Sequence, residues 1–165
     1  MKFALLTLAV MVAAVVVVYL VGRMLPLHHV ASISGELSAK PERVYGAITQ
    51  LDKLTTWRSG LKQVDVESSG NRYVEHADWG VIPLKILERV PFSKFVTEID
   101  DPSLGFGGTW TFNMEATPAG SRITITEKGF VPNPLFRFLS FYVFGHQKNV
   151  RTYLEDLTRH LNVAP

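Results

Sequence analysis

The chain opens with an unbroken apolar run, which sets its first residues apart from the alternating patterns that follow. Residues 3–22 hold no charged side chain, and Lys2 and Arg23 stand at the two ends of the run. At about 1.5 Å per residue, a helix of this length crosses the roughly 30 Å hydrocarbon layer of a bilayer. Tyr19 is near one end, where aromatic side chains meet the membrane interface. The pattern predicts a transmembrane anchor over residues 1–23.

A cleaved signal peptide is the alternative interpretation of this segment. The apolar part of a signal peptide is usually about 7–15 residues long and precedes an Ala-x-Ala cleavage pattern. The run here is longer, and residues 22–26 read Gly-Arg-Met-Leu-Pro, without that pattern. We therefore expect a retained, single-pass membrane anchor. Lys2 and the free amino terminus, set against Arg23 alone, favour an extracytoplasmic position for the rest of the chain.

The rest of the chain begins with one strand and two helices. After a linker over residues 24–29, the domain at residues 30–163 opens with alternating apolar and polar residues over 30–37, which is typical of a half-buried strand. Apolar residues then recur at steps of three and four. This spacing predicts a helix that starts around Pro41 and a second, short helix that ends at Gly60.

Turn-forming residues then divide the sequence into short strands. Six strands are predicted, over residues 63–67, 72–79, 81–90, 95–100, 108–116 and 121–130. Ser-Ser-Gly-Asn at 68–71 and Pro-Ala-Gly at 118–120 supply turn chemistry between them. Alternation is clearest in the last two strands, where Trp110, Phe112 and Met114 share one face and Ile123 and Ile125 share another. The spacing predicts an antiparallel meander.

The last periodic segment, residues 133–162, predicts the longest helix of the domain, and we expect Gly145 to kink or divide it. Its apolar stripe comprises Leu139, Val143, Val150, Leu154, Leu157 and Leu161. A lone curved sheet needs a cover on its apolar face, and this helix is long enough to provide one. The sequence thus predicts an α+β helix-grip fold of about seven strands, with a wedge-shaped cavity between sheet and helix.

Composition removes several classes of function. There is no cysteine, so disulfides, thiolate metal sites and cysteine nucleophiles are excluded. The 17 basic and 15 acidic residues are interspersed without a basic stripe, so we expect no nucleic-acid partner. The glycine-rich stretch at residues 105–108 has no helix after it, so it is not a phosphate-binding loop. We expect no metal and no cofactor, and nothing in the sequence predicts an oligomeric state.

Several segments resemble the START-like (SRPBCC) superfamily, which contains the polyketide cyclase/dehydrase and lipid transport proteins. The similar segments are Ser-Ala-Lys-Pro-Glu-Arg-Val-Tyr at 38–45, Trp-Arg-Ser-Gly-Leu-Lys-Gln-Val at 57–64, Gly-Thr-Trp-Thr-Phe at 108–112, Gly-Ser-Arg-Ile-Thr-Ile-Thr-Glu at 120–127 and Tyr-Leu-Glu-Asp-Leu at 153–157. The resemblance covers about residues 30–162 and implies the helix-grip fold. It also implies an apolar ligand such as a lipid, sterol or polyketide, by analogy of fold alone.

Large apolar residues are the first candidates for the wall of a ligand cavity, because aromatic rings give much contact area with few torsions to restrict. The candidates are Trp57, Tyr73, Trp79, Trp110, Phe112, Met114, Phe141 and Tyr142. Ordinary core packing is the alternative for each of them. We expect the set, on a fold of this shape, to line a cavity.

Two acidic residues are the polar candidates. Glu127 has the strand parity of Ile125, and Glu88 has that of Ile86, so both should point inward. An inward carboxylate can act as an acid or base, or can hold a ligand hydroxyl group. The alternatives are a structural ion pair with Arg58, Arg72 or Arg89, or a place at the open end of the sheet.

The leading hypothesis is membrane-tethered binding, with transport or sensing, of a small hydrophobic ligand. A cyclase or dehydratase that uses Glu127 or Glu88 with a phenol such as Tyr73 is the second hypothesis, and we favour binding over catalysis. The third is a protein-interaction module with a filled interior. Residues 134–144 are almost entirely apolar, with Arg137 their only charge, so this segment is expected either to be buried by a loop or to meet lipid at the cavity mouth.

Overall fold

The computed structural model describes residues 2–163, without the side chains of Phe144, His146 and Val163. Met1 of the predicted anchor therefore lies outside the described residues. So does the side chain of Phe144, the last residue of the predicted lipid-contacting segment. The helices are α1 Lys2–Met24, α2 Pro41–Thr49, α3 Pro134–Leu139 and α4 His146–Val163, with 3₁₀ helices at Leu51–Thr56 and Pro102–Leu104 and a π-helical turn at Ser140–Phe144. The strands are β1 His28–Leu37, β2 Leu61–Val66, β3 Arg72–Ala77, β4 Gly80–Val90, β5 Lys94–Ile99, β6 Gly107–Thr117 and β7 Gly120–Phe130.

The described strands form one antiparallel sheet of seven strands in the order β1-β7-β6-β5-β4-β3-β2. The meander β2 to β7 forms from neighbours in sequence, and β1 joins it by pairing with β7. This confirms the predicted α+β helix-grip fold. The start of β1 differs from the prediction, because the pairing with β7 continues to His28, opposite Phe130. His28 and His29 therefore belong to the sheet and not to the predicted linker.

Helix α4 covers the concave side of the sheet. Val150, Tyr153, Leu154, Leu157 and Leu161 are buried in the main apolar core. At Gly35 of β1 a methyl group would lie only 3.0 Å from a Leu154 methyl carbon, so the helix packs directly on the strand. Gly145, at φ +69°, separates α4 from the π-helical turn, which confirms the expected division of the terminal helix.

A β-bulge corrects one predicted site residue. In the pairing of β4 with β5, Ile86 is opposite Thr97 and Glu88 is opposite Val96, so one residue of β4 is extra. The extra residue ends the simple alternation that placed Glu88 with Ile86. The Glu88 side chain is 43% exposed and forms a 2.7 Å ion pair with Lys94. The prediction that Glu88 points into the interior was therefore wrong.

Helix α1 is long and apolar enough to cross a membrane, and most of its surface is exposed. Its carboxyl-terminal turn packs against α3. Gly22 is its buried residue, and a methyl group at this position would lie 2.0 Å from the Pro134 carbonyl oxygen. The first helix and α3 therefore meet backbone to backbone, with no side chain between them.

Candidate functional site

The interior of the domain has two ends with different chemistry. We call the region around Arg58, Glu75, Tyr153 and Asp156 the packed end. Arg58 Nη1 donates a hydrogen bond to Glu75 Oε1, and the two side chains are only 14% and 10% exposed. The guanidinium also lies 4.9 Å from the ring centroid of Tyr153, in cation–π geometry. Burial lowers the pKa of Arg58, but Glu75, Tyr153 and Tyr73 together more than offset this, so the pKa is raised and the guanidinium is charged.

Two tyrosines complete the packed end. Burial raises the pKa of Tyr73 and that of Tyr153 far above the ordinary value for a phenol, and the Glu75 carboxylate adds to the rise in both. Tyr73 is also hydrogen-bonded to Thr97. Both phenols are thus neutral at physiological pH. A neutral phenol beside a charged pair can donate a hydrogen bond but is a poor base.

Asp156 of α4 fixes the packed end to the sheet. Its carboxylate accepts hydrogen bonds from the Ser59 amide at 2.7 Å, the Ser59 hydroxyl at 2.8 Å and Arg159 at 3.0 Å. These bonds join α4 to the segment before β2. Nearby, Trp57 stacks on His160 with ring centroids 5.7 Å apart, and its buried Nε1 has no hydrogen-bond partner among the described residues. The packed end is otherwise well bonded, which suits a structural role.

The open end is centred on Glu127, on the same concave face. Glu127 is the cross-strand neighbour of Trp110 on β6 and of Ala31 on β1, and its side chain is 16% exposed. Its Oε1 lies 3.7 Å from His29 Nε2. Its Oε2 is buried and has no hydrogen-bond partner within residues 2–163. The inward direction predicted for Glu127 is thus observed, with His29 as neighbour in place of the arginines considered from sequence.

Two glycines lie in the sheet close to Glu127. Gly129 is the cross-strand neighbour of His29, and a methyl group on it would lie 2.4 Å from the His29 ring. Gly108, paired with Gly129 on the other side, has φ +152°, and a methyl group there would lie 2.3 Å from the Lys128 carbonyl oxygen. The backbone excludes a side chain at Gly108, and a side chain at Gly129 would displace the His29 ring, which lies directly against the backbone.

A cavity of about 260 Å³ lies at the start of β1, next to the open end. It is lined by residues of the linker and of β1, including His29, together with Val131, Arg137 and Phe141. A second cavity, of about 300 Å³, lies at the β5–β6 connection and has charged walls that include Lys85 and Glu98. Neither of these is lined by a residue of α4.

Part of the space predicted to be a cavity between the sheet and α4 is occupied by aromatic side chains. The space is filled chiefly by Tyr153, whose ring lies 5.1 Å from Phe112, 5.3 Å from Trp57 and 5.8 Å from Trp110, measured between centroids. A buried ring with three aromatic neighbours leaves no ligand-sized void at that point.

The structure sorts the remaining candidates into two groups. Trp57, Tyr73, Trp110, Phe112 and Met114 all belong to the core or pack against it, so the structure brings them together. The others lie at the surface: Trp79, Phe141 and Tyr142. Trp79 is 62% exposed because β3 ends at Ala77 and the alternation does not continue into the turn. Of the three, Phe141 lines the 260 Å³ cavity.

Sequence reasoning missed two features of these ends. Glu75 shares strand parity with the correctly placed Tyr73, and that parity was sufficient to place it inside. Its pairing with Arg58 depends on how a loop meets a distant strand, for which the sequence has no local signal. His29 was missed because it was assigned to the linker, although its alternation with Ala31 and Ile33 extends the pattern of β1.

Comparisons with known proteins agree on the architecture. A family model described as polyketide cyclase / dehydrase and lipid transport matches residues 28–162. The comparison with curated proteins gives no match.

Three solved structures illustrate the likeness. A Mesorhizobium loti protein is 22% identical, with a TM-score of 0.66 over 83% of this chain and 99% of its own. A START superfamily protein from Mycobacterium smegmatis is 13% identical, with a TM-score of 0.64 over 81% of this chain and 97% of its own. The di-domain ARO/CYC StfQ from the steffimycin biosynthetic pathway is 13% identical, with a TM-score of 0.66 over 82% of this chain and 52% of its own. Identities this low show a shared fold.

Proposed function

Because the chain belongs to the polyketide cyclase/dehydrase and lipid transport family, within the START-like fold, we propose that it binds a small hydrophobic, lipid-like ligand at its open end while α1 holds it in a membrane. The family and the fold are compatible with ligand binding and with cyclase-type chemistry. Properties of the open end favour binding.

The observation on which the proposal rests is the buried Oε2 of Glu127, which lacks a hydrogen-bond partner among the described residues. An unsatisfied buried carboxylate oxygen costs about 1–3 kcal/mol or more. A ligand hydroxyl would satisfy it and would be held in one orientation beside Trp110. The apolar wall residues then supply affinity, at about 25 cal/mol for each Å² removed from water.

The size of the adjacent cavity limits what it can hold. At about 260 Å³ it is smaller than the roughly 300–1,000 Å³ of most ligand sites. It fits one end of a lipid-like molecule, and a whole ligand requires movement of the wall. The π-helical turn that contains Phe141 is a suitable moving part, because such turns concentrate at functional sites and because Gly145, which follows it, has a positive φ of 69°.

Native mass spectrometry of the full chain extracted in detergent tests this proposal. We expect an apolar molecule to co-purify with the wild-type chain, and Glu127→Gln to reduce its occupancy about ten-fold, equivalent to about 1.4 kcal/mol. Glu88→Gln is the matched control, because Glu88 is exposed and bound to Lys94. Equal occupancy in the two variants would contradict the role given to Glu127.

Cyclase- or dehydratase-type chemistry is the second candidate, favoured by the 3.7 Å approach of His29 Nε2 to Glu127 Oε1 beside a cavity. A carboxylate and an imidazole at that separation form a suitable acid–base pair. Tyr73, the phenol first considered as partner, lies at the packed end. Incubation with a model polyketide thioester separates the two functions: conversion that Glu127→Gln abolishes, with binding retained, would establish the enzyme.

A protein-interaction module is the third candidate, favoured by the filled space under α4. It predicts that no small molecule accompanies either the wild-type chain or Glu127→Gln. The same mass spectra therefore separate this candidate from the other two. A wild-type chain without ligand in both detergent and native membrane extracts would favour the protein-interaction module.

A further inference from the structure

The segment Pro134–Val143, which we call the aromatic platform, is held against the end of α1 by one arginine. Arg137 Nη1 donates hydrogen bonds to the carbonyl oxygens of Gly22 at 3.3 Å and Leu25 at 3.1 Å. Its Nε donates to Val131 O at 2.8 Å and its Nη2 to Pro132 O at 2.8 Å. One guanidinium therefore joins the last turn of α1 to the connection between β7 and α3.

The chemistry of this contact requires arginine. The guanidinium presents several donors in one rigid plane, whereas a lysine presents a single point charge and would leave some of the four carbonyls without a donor. A positive charge is also favourable beside the carboxyl terminus of a helix, where carbonyl oxygens lack intrahelical partners. The close backbone contact of Gly22 with Pro134 also holds α1 and α3 together.

The aromatic platform exposes much of its apolar surface among the described residues. Phe136, Phe141, Tyr142 and Val143 are exposed, and Arg137 is the only charged residue of the segment. The ring of Tyr142 lies 4.9 Å from that of Phe138 and 5.0 Å from that of Phe141, so the aromatic side chains form one cluster. An exposed cluster of this kind in a soluble protein needs a partner.

Continuity with α1 identifies the partner. If α1 crosses the hydrocarbon layer, its last turn is at the membrane interface, because its 23 residues span about 34 Å against a layer of roughly 30 Å. The aromatic platform is bonded to that turn and so lies at the same depth. Aromatic residues collect at this depth in membrane proteins.

We propose that Pro134–Val143 is a second membrane-binding element, immersed in the lipid interface beside α1 and oriented by Arg137, so that the 260 Å³ cavity exchanges its ligand with the bilayer. The cavity shares Arg137 and Phe141 with the aromatic platform, which places its wall at the lipid surface. The inference rests on the tether by α1 proposed above.

The absence of cysteine from the chain allows a direct test. Single cysteines at Phe136, Tyr142, Val12 and Val66 are labelled with nitrobenzoxadiazole in the full chain, reconstituted in phosphatidylcholine vesicles with nitroxide lipids. Val12 reports the centre of α1, and Val66, exposed on β2, is the control. We expect quenching by deep nitroxides at Val12, by shallow nitroxides at Phe136 and Tyr142, and by neither at Val66.

The outcomes separate the two proposals. Quenching at Val12, with Phe136 and Tyr142 unquenched like Val66, would overturn the aromatic platform and leave the tether intact. An unquenched Val12 would overturn both. Disulfide formation between copies of Phe136→Cys, without quenching, would assign the surface to a second copy of the chain and also overturn the proposal.

Variants of Arg137 test its orienting role. We expect Arg137→Gln to reduce quenching at Phe136 by about two-fold or more, because half of the carbonyls that it binds belong to α1 and its linker. Arg23→Gln, at an exposed position in the last turn of α1, is the matched control and should leave quenching unchanged. Equal quenching in the two variants, with circular dichroism showing both folded, would overturn the role of Arg137.

Discussion

The packed end and the open end of the same concave face treat a buried carboxylate in opposite ways. Glu75 is bonded to Arg58, and Asp156 accepts three hydrogen bonds. Glu127 has a histidine neighbour at 3.7 Å and one buried oxygen that has no hydrogen-bond partner in the described part of the chain. The carboxylates of the packed end lie on β3 and α4, whereas Glu127 lies on β7 beside β1, so the two ends belong to different parts of one sheet. A buried polar group left unpaired needs an explanation, and for Glu127, which lies next to a cavity, we propose a ligand.

The largest effect is expected at the packed end. Glu75→Gln should lower the free energy of unfolding by about 3–5 kcal/mol, because it leaves the Arg58 charge buried without its partner. Urea denaturation of the full chain in detergent, followed by tryptophan fluorescence, measures the loss. Glu115→Gln, at an exposed position on β6, is the control. A loss below about 1 kcal/mol would show that the ion pair is better solvated than its burial indicates.

The next largest effect is expected for Asp156→Asn. It should lower the free energy of unfolding by about 2 kcal/mol, because the amide cannot replace a charged acceptor of three hydrogen bonds. Its neighbour Glu155 is exposed on the same helix, so Glu155→Gln provides a control with the same change of charge. The same denaturation experiment compares them. If the two variants lose the same stability, the bonds from α4 to Ser59 do not hold the packed end.

The tyrosines give a smaller effect that depends on pH. Their pKa values in the folded chain are raised above the unfolded value of about 10, so the unfolded chain releases these protons first. Stability is therefore complete below about pH 10 and falls above it, by up to about 1.4 kcal/mol per pH unit for each tyrosine. In urea denaturation at several alkaline pH values, we expect Tyr153→Phe to remove the contribution of one tyrosine from this slope. An unaltered slope in Tyr153→Phe would contradict the burial of this phenol.

The smallest effect on stability is expected at the open end. Glu127→Gln should change the free energy of unfolding by less than about 1 kcal/mol, because the contact with His29 is long and Oε2 has no bond to lose. Denaturation in parallel with Glu75→Gln makes the comparison direct. A loss as large as that of Glu75→Gln would remove the distinction between the two ends and make Glu127 a structural residue.

Periodicity and turn-forming residues together were sufficient to predict the fold. The alternation of Trp110, Phe112 and Met114 and the turn at residues 118–120 placed the last hairpin correctly, because each depends on neighbours in sequence. The errors occurred where the period breaks. The bulge after Ile86 turned Glu88 outward, and the early end of β3 left Trp79 in a turn.

The site was less predictable, because it depends on contacts between distant parts of the chain. The approach of His29 to Glu127 joins residues almost a hundred positions apart, through strand pairing that parity does not specify. The filling of the interior by Tyr153 depends on the rotation of α4 about its axis, which an apolar stripe defines only broadly. Arg137 appeared in the sequence as a lone charge in an apolar segment, and only the structure shows the four carbonyls that surround it.

The attachment of Arg137 has a practical consequence for biochemistry on a shortened chain. Removing the first helix to obtain a soluble domain also removes Gly22, and a truncation after Leu25 removes both of the acceptors that Nη1 binds. The exposed aromatic rings would then sit on a segment that has lost half of its anchoring. Such a preparation would show more non-specific binding and less ligand selectivity than the intact protein. Assays of ligand uptake and release should therefore use the intact protein.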